Sequence, residues 1–188
     1  AIHSNAQDII LLNNLDIDRA VWSILHSLER NKMINRLYED SIEDQLTKLY
    51  NRRGFLALAK DSIRLMEDPS YHIVFVDMDK MKDINDKHGH DMGDSALKEA
   101  AKILKSSFRE ADIISRYGGD EFIVFISDVE NHIIDKIKKR ILENVTTFNQ
   151  NNQYNYKLGL TLGHSKYDKD KKQSLQEIIG EADQDMYD

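Results

Sequence analysis

The sequence predicts an α/β (α+β) fold in which a mixed central sheet is flanked by helices, close to a ferredoxin-like sandwich, with a helical extension at its N-terminus. Three observations lead there. Segments with helical spacing of apolar residues alternate with short buried or alternating runs, and one pair of runs is joined by a Gly-Gly turn. The chain has 188 residues, 40% of them hydrophobic, which suffices for one ordinary core and a short appendage.

Stepping by four and three from Ile17 gives Val21, Ile24, Leu28, Asn31, Asn35, Tyr38 and Ile42, the spacing of a helical seam. That seam suits an amphipathic helix lying on its own domain or a dimeric coiled-coil linker, and its asparagines would set register in the second case. Residues 1–42 are therefore a predicted helical linker or signalling extension, and 43–188 the globular domain. Within the latter, Phe55, Leu56, Ala59, Ile63 and Met66 share a helical face until Pro69 and Ser70 break it. Tyr71 to Asp77 reads as a buried strand. A helix is expected from Asp94 to Phe108, with Leu97, Ala100, Ala101 and Leu104 inward. Ile113–Tyr117 and Phe122–Ile126 flank the Gly-Gly turn as a hairpin. Residues 131–148 carry Ile134, Ile137, Ile141 and Val145 on one helical face, Lys157–Tyr167 alternates as a strand, and Ser174–Tyr187 closes as a helix.

Composition narrows the function. The formal charge of −7 gives no global basic footprint, which argues against nucleic acid and anionic membranes as partners but leaves a local phosphate pocket open. The absence of cysteine removes disulfides, thiolate zinc sites and cysteine nucleophiles, and fits a cytoplasmic location. No apolar run approaches the roughly 20 residues that span a bilayer. The start Ala1-Ile2-His3-Ser4 lacks a signal n-region and an initiator methionine, so the sequence is expected to be cut from something longer.

Four carboxylates stand at element ends: Asp77 and Asp79 leave a buried strand, and Asp120 and Glu121 sit in the Gly-Gly hairpin. Hard oxygen donors of this kind suit magnesium, which takes one or two protein carboxylates and shares its remaining shell with phosphates and water. Gly118 and Gly119 lack Cβ and let backbone N–H groups approach phosphate oxygens. A solvated acidic loop around a hairpin turn is the other reading of the same residues. An EF-hand starting at Asp77 is excluded because Met81, Lys82 and His88 occupy its ligand and glycine positions, and no Walker A pattern occurs. His88 and His90 flank Gly89 without a zinc spacing and suit a surface or loop-bracing role.

Three further stretches join this hairpin into a pattern. They are Asp44-Gln45-Leu46-Thr47-Lys48-Leu49-Tyr50-Asn51-Arg52-Arg53; Asp77-Met78-Asp79-Lys80-Met81-Lys82-Asp83-Ile84-Asn85-Asp86; and Gly89-His90 with Gly93-Asp94. Together with Arg116-Tyr117-Gly118-Gly119-Asp120-Glu121-Phe122, they resemble the GGDEF family of diguanylate cyclases from about Asp44 to the end of the chain. The resemblance implies a nucleotidyl-cyclase-like fold and the joining of two GTP into cyclic di-GMP with release of pyrophosphate. It implies Mg²⁺ or Mn²⁺ on Asp77, Asp120 and the backbone carbonyl of Met78, with Glu121 the other essential acid. Asn85 and Asp94 match positions that bind the guanine edge, Lys82 a position near the phosphates, and Gly118 and Gly119 backbone donors there.

One domain presents one GTP, so the same likeness implies a two-fold homodimer. It also implies product inhibition at an RxxD site made of Arg109 and Asp112 with Arg116 of the hairpin, where arginine's planar fork suits phosphate and guanine. An ordinary helix-end ion pair is the alternative for Arg109. The last helix reads Ala182-Asp183-Gln184-Asp185-Met186-Tyr187-Asp188, where relatives continue with a lysine and then an arginine that contact phosphates. The expectation is therefore a C-terminally truncated module of a larger signalling protein with an upstream sensor. A GTP- or cyclic di-GMP-binding module without catalysis, a cyclase with another product, and a dimerising rod are the competing readings.

Overall fold

Eight consecutive residues, Tyr71–Met78, form an interior strand of the sheet, and all but Asp77 are buried. β-Branched and aromatic side chains fill both of its faces, as a strand covered on both sides requires. The computed structural model describes residues 21–30, 32, 42–151 and 154–187, and these divide after residue 41 into two units.

In the first unit, residues 21–30 form helix α1. Val21, Trp22, Ile24, Leu25 and Leu28 are exposed on it, and the Trp22 ring lies 4.8 Å from that of His26. Ile17, Asn31, Asn35 and Tyr38 of the predicted seam lie outside the described residues, as does Asp188.

The second unit runs β1 (Tyr50–Asn51), α2 (Arg52–Leu65), β2 (Tyr71–Met78), α3 (Met81–His88), α4 (His90–Ser107), β3 (Ile113–Arg116), β4 (Glu121–Ser127), α5 (Asn131–Asn151), β5 (Leu160–Lys166) and α6 (Leu175–Gln184). The sheet order is β1-β3-β4-β2-β5. β2 is antiparallel to both β4 and β5, β3 to β4, and only β1 with β3 is parallel. The strands β2 to β5 thus make the split-βαβ arrangement of a ferredoxin-like sheet, and β1 extends its edge.

Strand periodicity divides the core in two. Val74, Val76, Phe122, Val124 and Ile126 pack with Leu97, Ala101 and Leu104 of α4 and Ile134 and Ile141 of α5. Tyr71, Ile73, Phe75, Ile123 and Phe125 pack on the opposite face with Phe55 and Ala59 of α2 and Ile178 and Ala182 of α6. Asn51 caps α2 by accepting from the Gly54 N–H at 2.9 Å, and Ser174 and Glu177 form a capping box on α6. Among the described residues no helix is long and apolar enough to cross a membrane.

Three expectations change. The two-residue β1 is too short for a periodic signal. α3 buries only Ile84, so it has no apolar stripe to be read, and it carries α4 back to a start at His90. The last strand begins at Leu160 instead of Lys157 because Asn149 takes over the backbone of Leu158, donating to its carbonyl at 2.7 Å and accepting from its N–H at 2.8 Å.

Candidate active site

Asp77 is the last residue of the Tyr71-Ile73-Phe75 column, and on the neighbouring strand its register partner is Glu121. Residues directly opposite share a face, and like charges so placed repel. Thr161 of β5 is the partner on the other side. Burial raises the Asp77 carboxyl to about 6, and Asp120, Glu121, Asp79 and Asp183 push in the same direction. Carboxylates held together at a strand end call for a cation.

The donors are all hard oxygens, which suits magnesium or manganese. Among the described residues no three His, Cys, Asp or Glu side chains group closely enough to hold a metal by themselves. The Met78 side chain is buried, 1% exposed, so only its carbonyl is available to a ligand, and its N–H donates to Asp120 O at 3.1 Å.

Asp79 is tied to β5 beside Asp77. Its N–H donates to Gly159 O at 3.0 Å and its Oδ1 accepts from Thr161 Oγ1 at 2.7 Å. It fastens the turn after β2 to β5, and so fixes the exit of Asp77 and Met78.

The hairpin is held from below by Arg116. Its Nε and Nη2 donate to Gly119 O at 3.1 and 2.7 Å, and its Nη1 reaches Asp44 Oδ2 at 3.2 Å. Asp44 also accepts from Thr47 N at 2.8 Å and Thr47 Oγ1 at 2.7 Å. Burial pushes its carboxyl up, but the Thr47 bonds and the Arg116 charge outweigh this and hold it below the usual range. Tyr117 packs edge-on against Phe55 and Phe75, with the Arg52 guanidinium 4.7 Å above its ring. The Tyr117 and Gly118 N–H groups donate to Glu121 O at 2.8 and 3.3 Å, so of the predicted backbone donors Gly118 and Gly119 the first already has an internal partner. A Cβ on Gly118 would collide with Glu121 Oε2, whereas Gly119 is open.

The predicted base-reading pair lies on the two helices that follow β2. Lys80, with φ 57°, turns the chain into α3, and Gly89, with φ 84°, turns it into α4. Asn85 Oδ1 is buried without a hydrogen-bond partner, while Asp94 and Lys82 are exposed. His88 and His90 are exposed on either side of the Gly89 turn.

Arg109 and Asp112 pair at the far end of α4. The Arg109 N–H and Nη2 donate to Asp112 at 2.9 and 3.1 Å, and Nη2 also donates to Ser127 O at 3.0 Å. Both line a cavity of about 450 Å³ with Lys48, Tyr50 and Lys105. Arg116 is not on that cavity; it is engaged at the hairpin. Sequence reasoning missed the Asp44–Arg116 pair, the approach of Asp183 to Asp77, and Lys48 and Lys105 beside Arg109. Only the first had a local signal, an Asp with Thr three residues on, which forms a self-bonded turn.

Residues 41–188 match the family model described as Diguanylate cyclase, GGDEF domain. Diguanylate cyclase A of Treponema denticola is 31% identical over 161 residues, covering 81% of this chain and 43% of that protein. The response regulator PleD of Caulobacter vibrioides is 39% identical over 120 residues, covering 62% of this chain and 26% of PleD. The coiled coil and GGDEF domain of DgcB from Caulobacter crescentus, solved in complex with c-di-GMP, superposes with a TM-score of 0.80 at 18% identity, covering 92% of this chain and 93% of that one. The chain spans less than half the length of the curated relatives it matches.

Proposed function

The chain belongs to the GGDEF family of diguanylate cyclases, and from that premise we propose that it condenses two GTP into cyclic di-GMP with release of pyrophosphate. The observation that carries this is the register pairing of Asp77 with Glu121 at the common end of β2 and β4, one residue from Asp120 and one turn from the α3–α4 pair.

In this reading Asp77, Asp120 and the Met78 carbonyl hold Mg²⁺ or Mn²⁺, which fits the all-oxygen donor set. When bound, the ion lowers the pKa of the attacking hydroxyl and neutralises charge on the phosphoryl and leaving oxygens. Glu121, braced over Gly118, contributes the remaining negative charge facing Asp77. Gly119 offers an unobstructed backbone approach to the phosphates, and exposed Lys82 a mobile cation. Asp94 offers a carboxylate acceptor and Asn85 an amide to the donor and acceptor groups of the guanine edge, which adenine presents in a different pattern. The hairpin clamp by Arg116 keeps these groups in line, which is the protein's share of the catalysis.

Each 3′-hydroxyl attacks the other nucleotide's α-phosphate; a P–O bond forms as the bond to pyrophosphate breaks. One chain supplies one such half-site, so the working unit is a two-fold homodimer. Product feedback acts through Arg109 and Asp112, and an upstream sensor in the intact protein sets the dimer. The domain is assigned to the cytoplasm, where GTP is found. Incubation with GTP and Mg²⁺, with the product identified by mass, tests the reading. Cyclic di-GMP is expected from the parent and not from Asp120→Ala; GTP binding without cyclic di-GMP from a dimeric parent would overturn it.

A further inference from the structure

Gly93 sits where α4 crosses α3, and the space its missing side chain leaves is taken by Asn85. A Cβ at this position would overlap Asn85 Oδ1 and lie 2.8 Å from the Met81 methyl and 3.0 Å from Asn85 Cγ. Neither of the usual reasons for a helical glycine applies. At Gly54 and Gly163 the nearest obstacle is main chain, Ile42 O and Ala182 O, as expected for a close approach of two backbones. At Gly93 only the ends of side chains intervene. Nor is a left-handed torsion needed, because Gly89 is the glycine with positive φ among the described residues.

The Asn85 amide is itself unusual. Its Oδ1 is buried against Gly93 and accepts no hydrogen bond from the described residues, so the space at position 93, and no polar partner, is what holds the carboxamide in this orientation. We propose that Gly93 is a positioning residue for nucleotide selection: its lack of a Cβ is what lets the Asn85 carboxamide seat its Oδ1 against α4, and this fixes the orientation in which the amide meets the guanine edge. This rests on the guanine-binding reading above and adds the residue that enforces it. A methyl group at position 93 would turn the Asn85 side chain away and leave both backbones where they are, so base recognition suffers and the fold does not.

The test is calorimetric binding of GTP and of ATP, each with Mg²⁺, to the full chain and to Gly93→Ala, Asn85→Ala and the double variant. Gly93→Ala is expected to melt at or above the parent temperature, since alanine is the better helix former. Its Kd for GTP rises about tenfold, the loss of one hydrogen bond, while that for ATP stays within about twofold. Asn85→Ala weakens GTP similarly, and adding Gly93→Ala to it changes the Kd by less than about twofold, because the amide that would be displaced is already gone. In turnover the Gly93→Ala effect falls on KM and leaves kcat. Unfolding of Gly93→Ala, parent-like GTP binding by it, or an equal further loss in the Asn85→Ala background would overturn the assignment. A parent chain that binds GTP and ATP alike would overturn the guanine reading itself, whereas a GTP-selective parent with additive variants removes only Gly93.

Discussion

Asp44 and Arg116, 72 residues apart, form a partly buried ion pair at 3.2 Å that ties the turn entering the domain to the Gly-Gly hairpin. The two side chains are 21% and 17% exposed, so the pair is shielded enough to matter more than a surface bridge. Arg116 spends its other donors on Gly119 O, and one side chain thereby sets both the entry of the chain and the height of the hairpin.

Asp44→Asn should lower stability by about 1 to 3 kcal/mol, through loss of a charge-assisted bond to Arg116. Turnover should fall more than the loss of folded protein explains, because the hairpin is released. Urea unfolding followed by rate measurement at a temperature where both proteins are folded checks this. Equal specific activity would detach the clamp from the site.

Asp77→Asn should have opposite effects on stability and activity. Removing one of several mutually repelling carboxylates is expected to raise metal-free stability by about 1 kcal/mol. Product formation should fall on the order of a hundredfold, as for loss of a group that acts on the transition state. Thermal melts in chelator and in GTP with Mg²⁺ separate the two: the parent gains on adding ligand and the variant does not. A variant less stable than the parent in chelator would contradict the repulsion.

His72 lies fully buried in β2. Burial lowers its pKa from 6.5 to about 4, Lys166 and His164 add to the shift, and a contact with the Val129 backbone opposes it. Between those two values the unfolded chain takes up a proton that the folded chain refuses, so stability is full above pH 6.5 and declines as pH falls towards 4. The loss amounts to roughly 3 kcal/mol across the window. Denaturation midpoints measured against pH should show this slope in the parent and lose it in His72→Leu. The same slope in both would assign it to another group.

Arg109→Ala should raise steady-state cyclic di-GMP and remove inhibition by added product. It should also destabilise the domain by about 2 kcal/mol, because the Asp112 side chain, 1% exposed, loses its guanidinium partner. Inhibition curves for added cyclic di-GMP give the first result and urea titration the second. Undiminished inhibition would leave Arg109 as a structural ion pair.

Much of this was legible in the residue order. The run Tyr71 to Asp77 could be placed because, His72 aside, its residues up to Val76 are apolar or aromatic, and Asp77 then marked the strand's functional end. α3 could not, since it rides on the sheet through Ile84 alone, and the register of Asp77 against Glu121 depends on β4 arriving from a hairpin more than 40 residues later. The family resemblance joined Arg116 to Arg109 and Asp112. In the fold the Arg116 guanidinium is engaged by Gly119 O and by Asp44 Oδ2, and only the fold reveals Asp44, 72 residues away, as its partner.

Along β2 the side chains alternate between the two cores, with Asp77 on the α2–α6 side and Met78 buried on the other. The strand therefore imposes a reading frame of two on the chemistry. Any odd insertion or deletion between Tyr71 and Met78 would trade a carboxylate for a thioether at the site and drive the charge into the opposite core. Length changes at the other end of the sheet, where Asp128 N–H donates to Ser70 O and Tyr167 N–H to Tyr71 O, leave that parity untouched.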